Sequence, residues 1–358
     1  MADIYDLRKK INEIDKEMAK LFDTRMNIIK QVAEYKKANS MQINDSNRED
    51  EIISNNSSLI SNDEIKSYYV NFIKETMNIS KRYQEKIVAG EKIAYSGVEG
   101  AYAYLAAKKM FPNGNLISNT SFKKAYQSVE NGINDKAVLP IENSFAGDIG
   151  EVMDLMFFGS LYLNEVIDYE IEHCLLAKPG VKLENIKKII SHPQAIMQCS
   201  DFIDENNFDI IEEVNTAVAA KKLDDEYSAV IASKEAANIF GLNILKEKIN
   251  NTDTNTTRFA SFSRVLSHFE NEDISKKNFI IVFTVKNEAG ALAKCLDIIG
   301  AHNFNMRNLC SRPVKNLMWR YFFYCDIEGD IDSQDAKDMF VALKVFCDRL
   351  KVVGTYIS

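Results

Sequence analysis

The densest group of chemically useful side chains lies between residues 250 and 259. This stretch holds four threonines and ends in Thr256-Thr257-Arg258-Phe259. A loop that only makes a turn more usually contains Gly or Pro, and this one has neither. Hydroxyl groups beside a fixed cation suit a small anionic substrate that must lose or exchange an oxygen. A polar surface loop is the simpler interpretation of the composition, so other motifs must decide between the two.

A second group of candidate residues lies within a long amphipathic helix. Apolar residues recur with a 3-4 spacing from Ile4 to Tyr35, and Arg25 takes one seam position. Lys36 lies about three turns further on, rotated by about 20°, so both cations project from one face roughly 16 Å apart. Two long cationic side chains at this spacing suit a small dianion. The pattern also suits a charged residue that only sets the register of a helix pair.

The helix that positions these cations needs a partner for its seam. About 34 helical residues make a rod of roughly 50 Å, longer than a small domain is wide. We therefore expect an intertwined homodimer or a higher homo-oligomer. Arg8 is rotated by about 100° from Arg25, so it faces away from the pocket of its own chain. In a dimer it could reach the pocket of the neighbour.

Two further helices complete this region. Ser46 and Glu49 match a capping box that begins a second helix, and apolar spacing predicts a third over about residues 63–88. Ser80 and Gln84 are four apart on the third helix and therefore share a face. In order and spacing, eight residues of this region resemble the active-site pattern of the all-helical chorismate mutases: Arg8, Arg25, Lys36, Asp45, Arg48, Glu49, Ser80 and Gln84.

That resemblance implies that the region rearranges chorismate to prephenate. The reaction is pericyclic, so the enzyme must hold one conformer and stabilise charge on the breaking ether oxygen. A simple helix cap is the alternative role for Glu49. The family pattern assigns substrate carboxylates to the partner subunit's Arg8, to Arg25 and to Arg48, the ether oxygen to catalytic Lys36 and Gln84, and the ring hydroxyl to Glu49.

From residue 91 onward, short strands alternate with polar or glycine turns and helices. Such units place their loops at the carboxyl edge of a parallel sheet, where ligands usually bind. Four motifs make residues 91–267 resemble the prephenate dehydratases, whose two α/β lobes are arranged as in periplasmic binding proteins: Pro140-Ile141-Glu142-Asn143-Ser144, His173-Cys174-Leu175, Ser191-His192-Pro193-Gln194-Ala195 and Thr257-Arg258-Phe259.

The second resemblance implies that prephenate loses its ring carboxylate and para hydroxyl, giving phenylpyruvate, CO2 and water. Catalytic Thr257 would hydrogen-bond the leaving hydroxyl, and Arg258 would orient the side-chain carboxylate or the loop. As isolated residues, His173 and His192 are more often structural. The implied prephenate-binding residues are Glu142, Asn143, Ser144, Thr216, Thr257, Arg258 and Phe259.

Three positions in the middle region depart from the dehydratase pattern. Ala101 and Ala103 stand where small hydroxyl residues are usual, and Asn215 stands where Ser is usual. The two missing hydroxyls weaken the expected contribution of the first loop to substrate binding.

Residues 278–358 show the order βαββαβ, which is ferredoxin-like. We expect its last helix over Ser333–Leu350 and its last strand over Lys351–Ile357. With Ser311-Arg312-Pro313 the region resembles the phenylalanine-binding ACT domain, although Cys310 stands where Glu is usual. The alternative is that this region serves only for dimerisation. The resemblance implies an L-phenylalanine site between two chains, formed by Gly290, Ala291, Leu292, Asn303 and Ser311.

Composition excludes several other classes. The net charge of −8 and pI near 5.3 argue against a nucleic-acid partner, so an anionic substrate needs local clusters of Arg, Lys and helix N-termini. Six scattered cysteines without metal-ligand spacing predict no disulfide framework, no metal and no cofactor. No apolar run reaches the ~20 residues of a membrane span, and no secretory signal begins the chain, so we expect a cytoplasmic protein without a membrane partner.

Together the motifs resemble the bifunctional chorismate mutase–prephenate dehydratases of phenylalanine biosynthesis, feedback-inhibited by L-phenylalanine. The expected domains are a helical chorismate mutase over 1–88, a two-lobed α/β dehydratase over 91–267 and a ferredoxin-like ACT domain over 278–358. One alternative is a dehydratase whose helical region is only a dimerisation arm. The other is a non-catalytic amino-acid sensor, which leaves Arg25 without a role.

Overall fold

The computed structural model describes residues 3–269, 272–315 and 320–358. The chain separates into two units, the first ending at Glu91 and the second beginning at Lys92. Within the described ranges, no helix combines the length and the apolar character that a membrane span requires.

The first unit is helical, as its apolar spacing predicts. Its helices are α1 (Ile4–Ala38), α2 (Ser46–Ser57) and α3 (Asp63–Ala89). The α1 seam is largely uncovered within the chain: Ala33 is fully buried, whereas Ile14 and Leu21 are 59% and 69% exposed. An exposed apolar stripe of this length is the surface that the predicted partner chain would cover.

The second unit combines nine α-helices and fifteen strands in its described residues. Its helices are α4 (Tyr102–Met110), α5 (Phe122–Glu130), α6 (Gly150–Phe158), α7 (Pro193–Gln198), α8 (Ser200–Glu205), α9 (Thr216–Lys222), α10 (Lys234–Phe240), α11 (Ala291–Ala301) and α12 (Gln334–Phe346). Its strands are β1 (Lys92–Ser96), β2 (Asn115–Asn119), β3 (Lys136–Asn143), β4 (Gly147–Asp148), β5 (Tyr162–Glu170), β6 (Cys174–Ala177), β7 (Lys188–Ser191), β8 (Asp209–Glu212), β9 (Ser228–Ala232), β10 (Asn243–Lys246), β11 (Thr256–Ser263), β12 (Lys277–Val285), β13 (Asn305–Pro313), β14 (Tyr321–Glu328) and β15 (Cys347–Ile357).

Across the described residues these strands form two sheets. A ten-stranded sheet has the order β13-β14-β12-β15-β5-β11-β3-β1-β2, with β4 beside β3, and a five-stranded sheet has the order β10-β6-β9-β7-β8. The predicted parallel pairing is correct for β1 with β2 and β3, and for β7 with β8 and β9. Strand β11, which is not part of these strand–loop–helix units, runs antiparallel to both β3 and β5. Because β11 runs opposite to β3, its first residues lie beside the last residues of β3.

The C-terminal elements share a core with the earlier strands. Gly354 of β15 pairs with Leu163 of β5, which makes the large sheet continuous. The core on one side of this sheet contains Phe262 together with Phe322 of β14. Phe322 stacks on Phe157 of α6 with ring centroids 4.4 Å apart.

One predicted boundary in the C-terminal region is wrong. Helix α12 ends at Phe346, and β15 already begins at Cys347 rather than Lys351. Arg349 and Leu350 pair with β12 instead of continuing the helix. Sheet pairing therefore overrides the local helical pattern. The predicted linker over Ser267–Lys277 includes residues 270 and 271, which lie outside the described residues.

Candidate functional site

Several predicted residues of the helical unit meet where α1 and α3 pack together. Arg25 donates from Nη1 to Ser80 Oγ, which in turn donates to Thr76 O at 2.8 Å. Gln84 Nε2, one turn further along α3, donates to the Ser80 carbonyl at 3.3 Å. Burial lowers the pKa of Arg25, but an arginine remains a cation at neutral pH.

The other end of the Gln84 amide is unsatisfied. Gln84 Oε1 is buried and has no hydrogen-bond partner among the described residues. Buried polar atoms nearly always have a partner in folded proteins, so this position is suited to a ligand group. The cation of Arg25 lies on the other side of Ser80.

Two further charged residues of the pattern are held by side-chain contacts. Lys36 donates from Nζ to the Ile43 carbonyl at 2.8 Å. Glu49 of α2 is paired with Lys81 of α3 at 2.7 Å. Lys81 was not predicted from the sequence, although it directly follows Ser80 and lies within the same helix.

Three predicted residues lie away from this group. Asp45 accepts from Arg48 N at 3.1 Å and acts as the cap of α2, while Arg48 pairs with Glu51 at 2.6 Å. Arg8 is exposed on α1. It lies about 25 Å from Arg25 along the helix axis, beyond the reach of one side chain.

In the second unit, a cavity of about 660 Å³ opens between residues of the two sheets. The sequence predicts Arg, Lys and helix N-termini around an anionic substrate; the described residues that line the cavity include no Lys, Arg, Asp or Glu. Its polar lining includes Asn119, Asn143, His173, His192, Gln194, Gln198, Asn215, Thr216 and Thr257, beside the ring of Phe259.

Thr257 is held by Asn143 at the floor of this cavity. Asn143 Nδ2 donates to Thr257 Oγ1 at 2.9 Å. The amide cannot be reversed, because Asn143 Oδ1 accepts from the backbone N–H groups of Phe145 and Ala146 at 3.1 and 2.9 Å. Thr257 Oγ1 therefore accepts from Asn143 and keeps its own proton for another partner.

A hydrogen-bonded group on another wall of the cavity was not predicted from the sequence. His173 Nε2 lies 2.9 Å from Gln198 Oε1, and its Nδ1 lies 3.1 Å from Tyr102 Oη. Burial lowers the pKa of His173, and burial likewise lowers the pKa of His192. Both rings are therefore uncharged at neutral pH. Gln198 follows Gln194 by one helical turn in α7, which is the signal that could have identified it.

Helix N-termini supply the positive potential that the side chains lack. Helix α4 begins after Ala101 without a side-chain cap. Asn215 caps α9 by accepting from Ala217 N at 2.8 Å, and Thr216 is the first residue of that helix. Ala101, Asn215 and Thr216 all line the cavity. Helix N-termini attract anions through their free N–H groups and the helix dipole.

Arg258 and Glu142 lie on the opposite face of the sheet from Thr257 and Asn143. Successive strand residues alternate between faces, and Arg258 is opposite Glu142 just as Thr257 is opposite Asn143. The Arg258 guanidinium contacts Glu142 at 3.3 Å and Asp326 at 3.2 Å. Neither side chain lines the cavity.

Ser144 also lies outside the cavity lining. Its Oγ donates to Thr254 O and accepts from Thr256 N, both at 2.9 Å. Ser144 therefore holds the loop that precedes β11.

The predicted effector residues are spread over several of the C-terminal elements. Gly290 is the N-cap of α11, whereas Asn303 follows the end of the same helix. Eleven residues of helix separate them by about 16 Å. Ser311 is exposed on β13. Cys310 faces Met153 with the sulfur atoms 3.5 Å apart, and burial raises the pKa of its thiol to about 12.

No metal site is evident in the described part of the chain. His, Cys, Asp and Glu side chains do not come together there in groups of three suited to an ion.

Two family models match the chain in succession. Residues 7–85 match chorismate mutase type II, and residues 93–266 match prephenate dehydratase.

Individual relatives extend this similarity over the whole length. A bifunctional chorismate mutase/prephenate dehydratase of Buchnera aphidicola (subsp. Acyrthosiphon pisum) is 32% identical over 98% of this chain and 95% of its own. Arogenate dehydratase 2 of Petunia hybrida is 35% identical over 75% of this chain and 72% of its own. The crystal structure of a prephenate dehydratase from Arthrobacter aurescens in complex with L-Phe covers 75% of this chain and 90% of its own, with 28% identity and a TM-score of 0.69.

Proposed function

This chain belongs to the family of bifunctional chorismate mutase/prephenate dehydratases, and from that membership we propose how its residues perform the two reactions. It is an enzyme of phenylalanine biosynthesis. Its helical N-terminal region rearranges chorismate to prephenate, and its α/β region converts prephenate to phenylpyruvate.

For the mutase, the pocket lies between α1 and α3 around Arg25 and Gln84. Arg25 holds a substrate carboxylate, and Ser80 keeps its guanidinium in place. The Gln84 amide nitrogen donates to the reacting ether oxygen, and its buried Oε1, which has no partner among the described residues, accepts from a hydroxyl of the substrate. Lys36 completes the charge stabilisation on the ether oxygen. The unsatisfied amide of Gln84 carries this assignment.

For the dehydratase, the Thr257 hydroxyl donates a hydrogen bond to the departing hydroxyl of prephenate. Asn143 occupies the acceptor side of the Thr257 hydroxyl, so the proton is directed away from the protein. As the ring carboxylate leaves as CO2, its bonding electrons complete the aromatic ring and the C–O bond breaks toward Thr257. The departing hydroxide takes up a proton from solvent and leaves as water, so Thr257 keeps its own proton. The Asn143–Thr257 hydrogen bond carries this assignment.

An uncharged cleft suits this decarboxylation. A cation beside the ring carboxylate would stabilise the reactant more than the transition state, in which that charge disperses into the ring. With His173 and His192 neutral, the carboxylate is desolvated without being paired. The side-chain carboxylate, which does not react, binds at the N-terminus of α4 or α9. Arg258 lies on the other face of the sheet and supports the strand rather than the substrate.

The C-terminal elements form a ferredoxin-like ACT domain that binds L-phenylalanine, and the two lobes of the dehydratase resemble periplasmic binding proteins. The order β12-α11-β13-β14-α12-β15 supports the first assignment. Two chains form each effector site, since Gly290 and Asn303 lie at opposite ends of α11. L-Phe bound to the related Arthrobacter enzyme supports this effector.

Paired variants test the dehydratase assignment. Thr257→Ala should lower prephenate conversion by about 10²–10³-fold, the usual effect of removing a positioned donor, while Thr257→Ser should retain most of it. Thr256→Ala is the matched control, because Thr256 does not line the cleft. Incubation with chorismate, followed by ultraviolet absorbance, should show prephenate accumulating only with Thr257→Ala. Equal rates for the Ala and Ser variants would refute the role of the hydroxyl.

A second pair of variants tests the mutase assignment. Arg25→Ala should lower the rate of chorismate conversion by a similar factor of about 10²–10³ and leave prephenate conversion intact. Arg82→Ala is the control, since Arg82 pairs with Glu75 on the surface of α3 at 3.0 Å. Comparable loss of both activities in Arg25→Ala would show that Arg25 only supports folding, as in a non-catalytic dimerisation arm.

A further inference from the structure

Asp326 is a buried carboxylate that neither proposed reaction uses. It lies on β14 with 0% of its surface exposed. Tyr356 Oη of β15 donates to its two carboxylate oxygens at 2.8 and 3.0 Å. Arg258 donates from Nη1 to Asp326 at 3.2 Å and from Nη2 to Tyr356 Oη at 2.9 Å. These three residues close a hydrogen-bonded triangle between the C-terminal elements and β11.

One end of this triangle lies directly behind the reactive groups of the dehydratase. Arg258 follows Thr257 on β11, and Glu142 precedes Asn143 on β3. The Arg258–Glu142 contact on one face of the sheet therefore backs the Thr257–Asn143 hydrogen bond on the other. A shift of the Arg258 backbone must also move Thr257, because the two residues share a peptide bond.

The other end of the triangle lies in the sheet of the proposed ACT domain. Asp326 pairs with Asn308 of β13 on one side and with Ile280 of β12 on the other. Strand β13 carries Ser311, and β12 leads into the loop that ends at Gly290. A change in either strand is therefore transmitted to the carboxylate of Asp326.

Burial makes this triangle an all-or-none arrangement. A buried carboxylate is unstable without its donors, so Asp326 cannot lose Arg258 and Tyr356 gradually. Packed networks of this kind switch between discrete states instead of deforming continuously, which is the property a coupling element needs.

We infer that the Arg258–Asp326–Tyr356 triangle is the link by which L-phenylalanine, bound to the C-terminal domain, alters the Thr257–Asn143 geometry and so inhibits the dehydratase. The inference rests on the proposed regulation and adds the residues that transmit it. Asp326 and Tyr356 act through Arg258 and touch neither substrate nor effector.

A second contact between the C-terminal elements and the dehydratase region is the alternative route for the coupling. Arg312 of β13 forms a two-point ion pair with Asp154 of α6, with hydrogen bonds of 2.9 and 3.1 Å. Helix α6 approaches the cleft through the apolar side chain of Ile149, whereas β11 carries Thr257 itself. We therefore assign the coupling to Arg258 and use Arg312 as the comparison.

The test uses the full chain and separates binding from inhibition. Tyr356→Phe removes one hydroxyl and keeps the ring, and Asp326→Asn keeps the shape and removes the charge. Tyr227→Phe is the matched control, since Tyr227 is 57% exposed in another part of the unit. For each protein, calorimetry gives the Kd of L-phenylalanine, and a prephenate assay gives the activity that remains at saturating L-phenylalanine.

The expected result is a loss of coupling without a loss of binding. In Tyr356→Phe and Asp326→Asn, the Kd should stay within about twofold of wild type, while saturating L-phenylalanine should leave at least about tenfold more activity than it leaves in wild type. Uninhibited activity should persist in both, and Tyr227→Phe should match wild type. Should Asp326→Asn fail to fold, Tyr356→Phe decides alone, because it leaves no buried charge unpaired.

Two results would overturn the inference and are distinguishable from each other. If both variants are inhibited like wild type, or if Arg312→Gln alone loses inhibition, the coupling runs elsewhere and the proposed regulation still stands. If wild type neither binds L-phenylalanine nor is inhibited by it, the proposed regulation fails and the inference fails with it.

Discussion

Asn143 sets the direction of the Thr257 proton because its amide is held at both ends. Two backbone N–H groups fix its oxygen, and its nitrogen then faces Thr257 Oγ1. Replacing the amide nitrogen of Asn143 by an oxygen should reverse the direction of this hydrogen bond. An aspartate at 143 would present an acceptor where Asn143 presents a donor, so the Thr257 hydroxyl would turn toward it.

Asn143→Asp should therefore reduce dehydratase kcat by about 10²–10³-fold, since the Thr257 proton no longer reaches the leaving hydroxyl. The new charge also repels the dianionic substrate. The mutase activity of the same protein is the internal control for folding. Asn115→Asp, at an exposed position on β2, controls for the added charge. A wild-type prephenate rate in Asn143→Asp would contradict the proposed direction of the proton.

The buried His173 and the half-buried His192 predict how stability depends on pH. Burial lowers the pKa of His173 and His192 from the ordinary 6.5, so below that pH the unfolded chain binds protons that the folded chain does not. The free energy of unfolding should therefore fall as pH drops below about 6.5. This loss should continue until the lowered pKa values of the folded state are passed.

Urea unfolding at pH 7.5 and pH 5.5 measures this dependence. Carboxylates also contribute in acid, so the informative quantity is the difference between wild type and His173→Gln, which removes one buried titrating ring. The variant should lose less stability between the two pH values than wild type. An identical loss in both proteins would show that His173 does not contribute.

At the scale of elements, the joint between β15 and β5 depends on a glycine. A Cβ built on Gly354 would lie 1.9 Å from the carbonyl oxygen of Leu163, a backbone atom that cannot turn aside. Gly300, within α11, has nothing within 4 Å of its Cβ position. The same substitution should therefore have opposite effects at these two positions.

Gly354→Ala should lower the free energy of unfolding of the second unit by about 1–3 kcal/mol or more, as overpacking does. Gly300→Ala should raise it by up to about 1 kcal/mol, because alanine favours a helix more than glycine does. Thermal unfolding of the two variants and of wild type shows whether each substitution raises or lowers the free energy of unfolding. A stable Gly354→Ala protein would mean that β15 and β5 do not pair as described.

At the scale of the whole molecule, two observations support the proposal that a second chain completes the helical region. The apolar seam of α1 is exposed along much of its length. Arg8 lies about 25 Å from Arg25 in its own chain, so it can serve a mutase pocket only as a residue of another subunit. The family pattern and the geometry thus lead to the same proposal, a pocket built from two chains.

Mixing two inactive variants tests this proposal. Arg8→Ala and Arg25→Ala should each lack mutase activity, and equal amounts unfolded and refolded together should recover about a quarter of it. Half of the dimers are then mixed, and each mixed dimer has one pocket with both arginines. If the two arginines served one pocket within a chain, every pocket would lack one of them and no activity would return.

The sequence alone determined the features that depend on near neighbours. The seam spacing predicted α1, and the motif resemblances identified both enzyme families. The capping box over Ser46 and Glu49 is wrong by one residue, because Asp45 caps α2 and Glu49 pairs with Lys81. These signals are local because helix periodicity and capping are properties of residues within a turn or two of each other. Thr257, Asn143, Arg25 and Gln84 were likewise named from motifs and spacing, and their catalytic roles stay predictions.

Only the tertiary structure decided how those residues meet. The Thr257–Asn143 hydrogen bond joins residues 114 apart and depends on β11 running antiparallel to β3, which no local pattern reveals. The same pairing turns Arg258 away from the cleft and toward Asp326, 68 residues further along the chain. Strand direction and register are set by which surfaces are buried together, and that is a property of the folded chain as a whole.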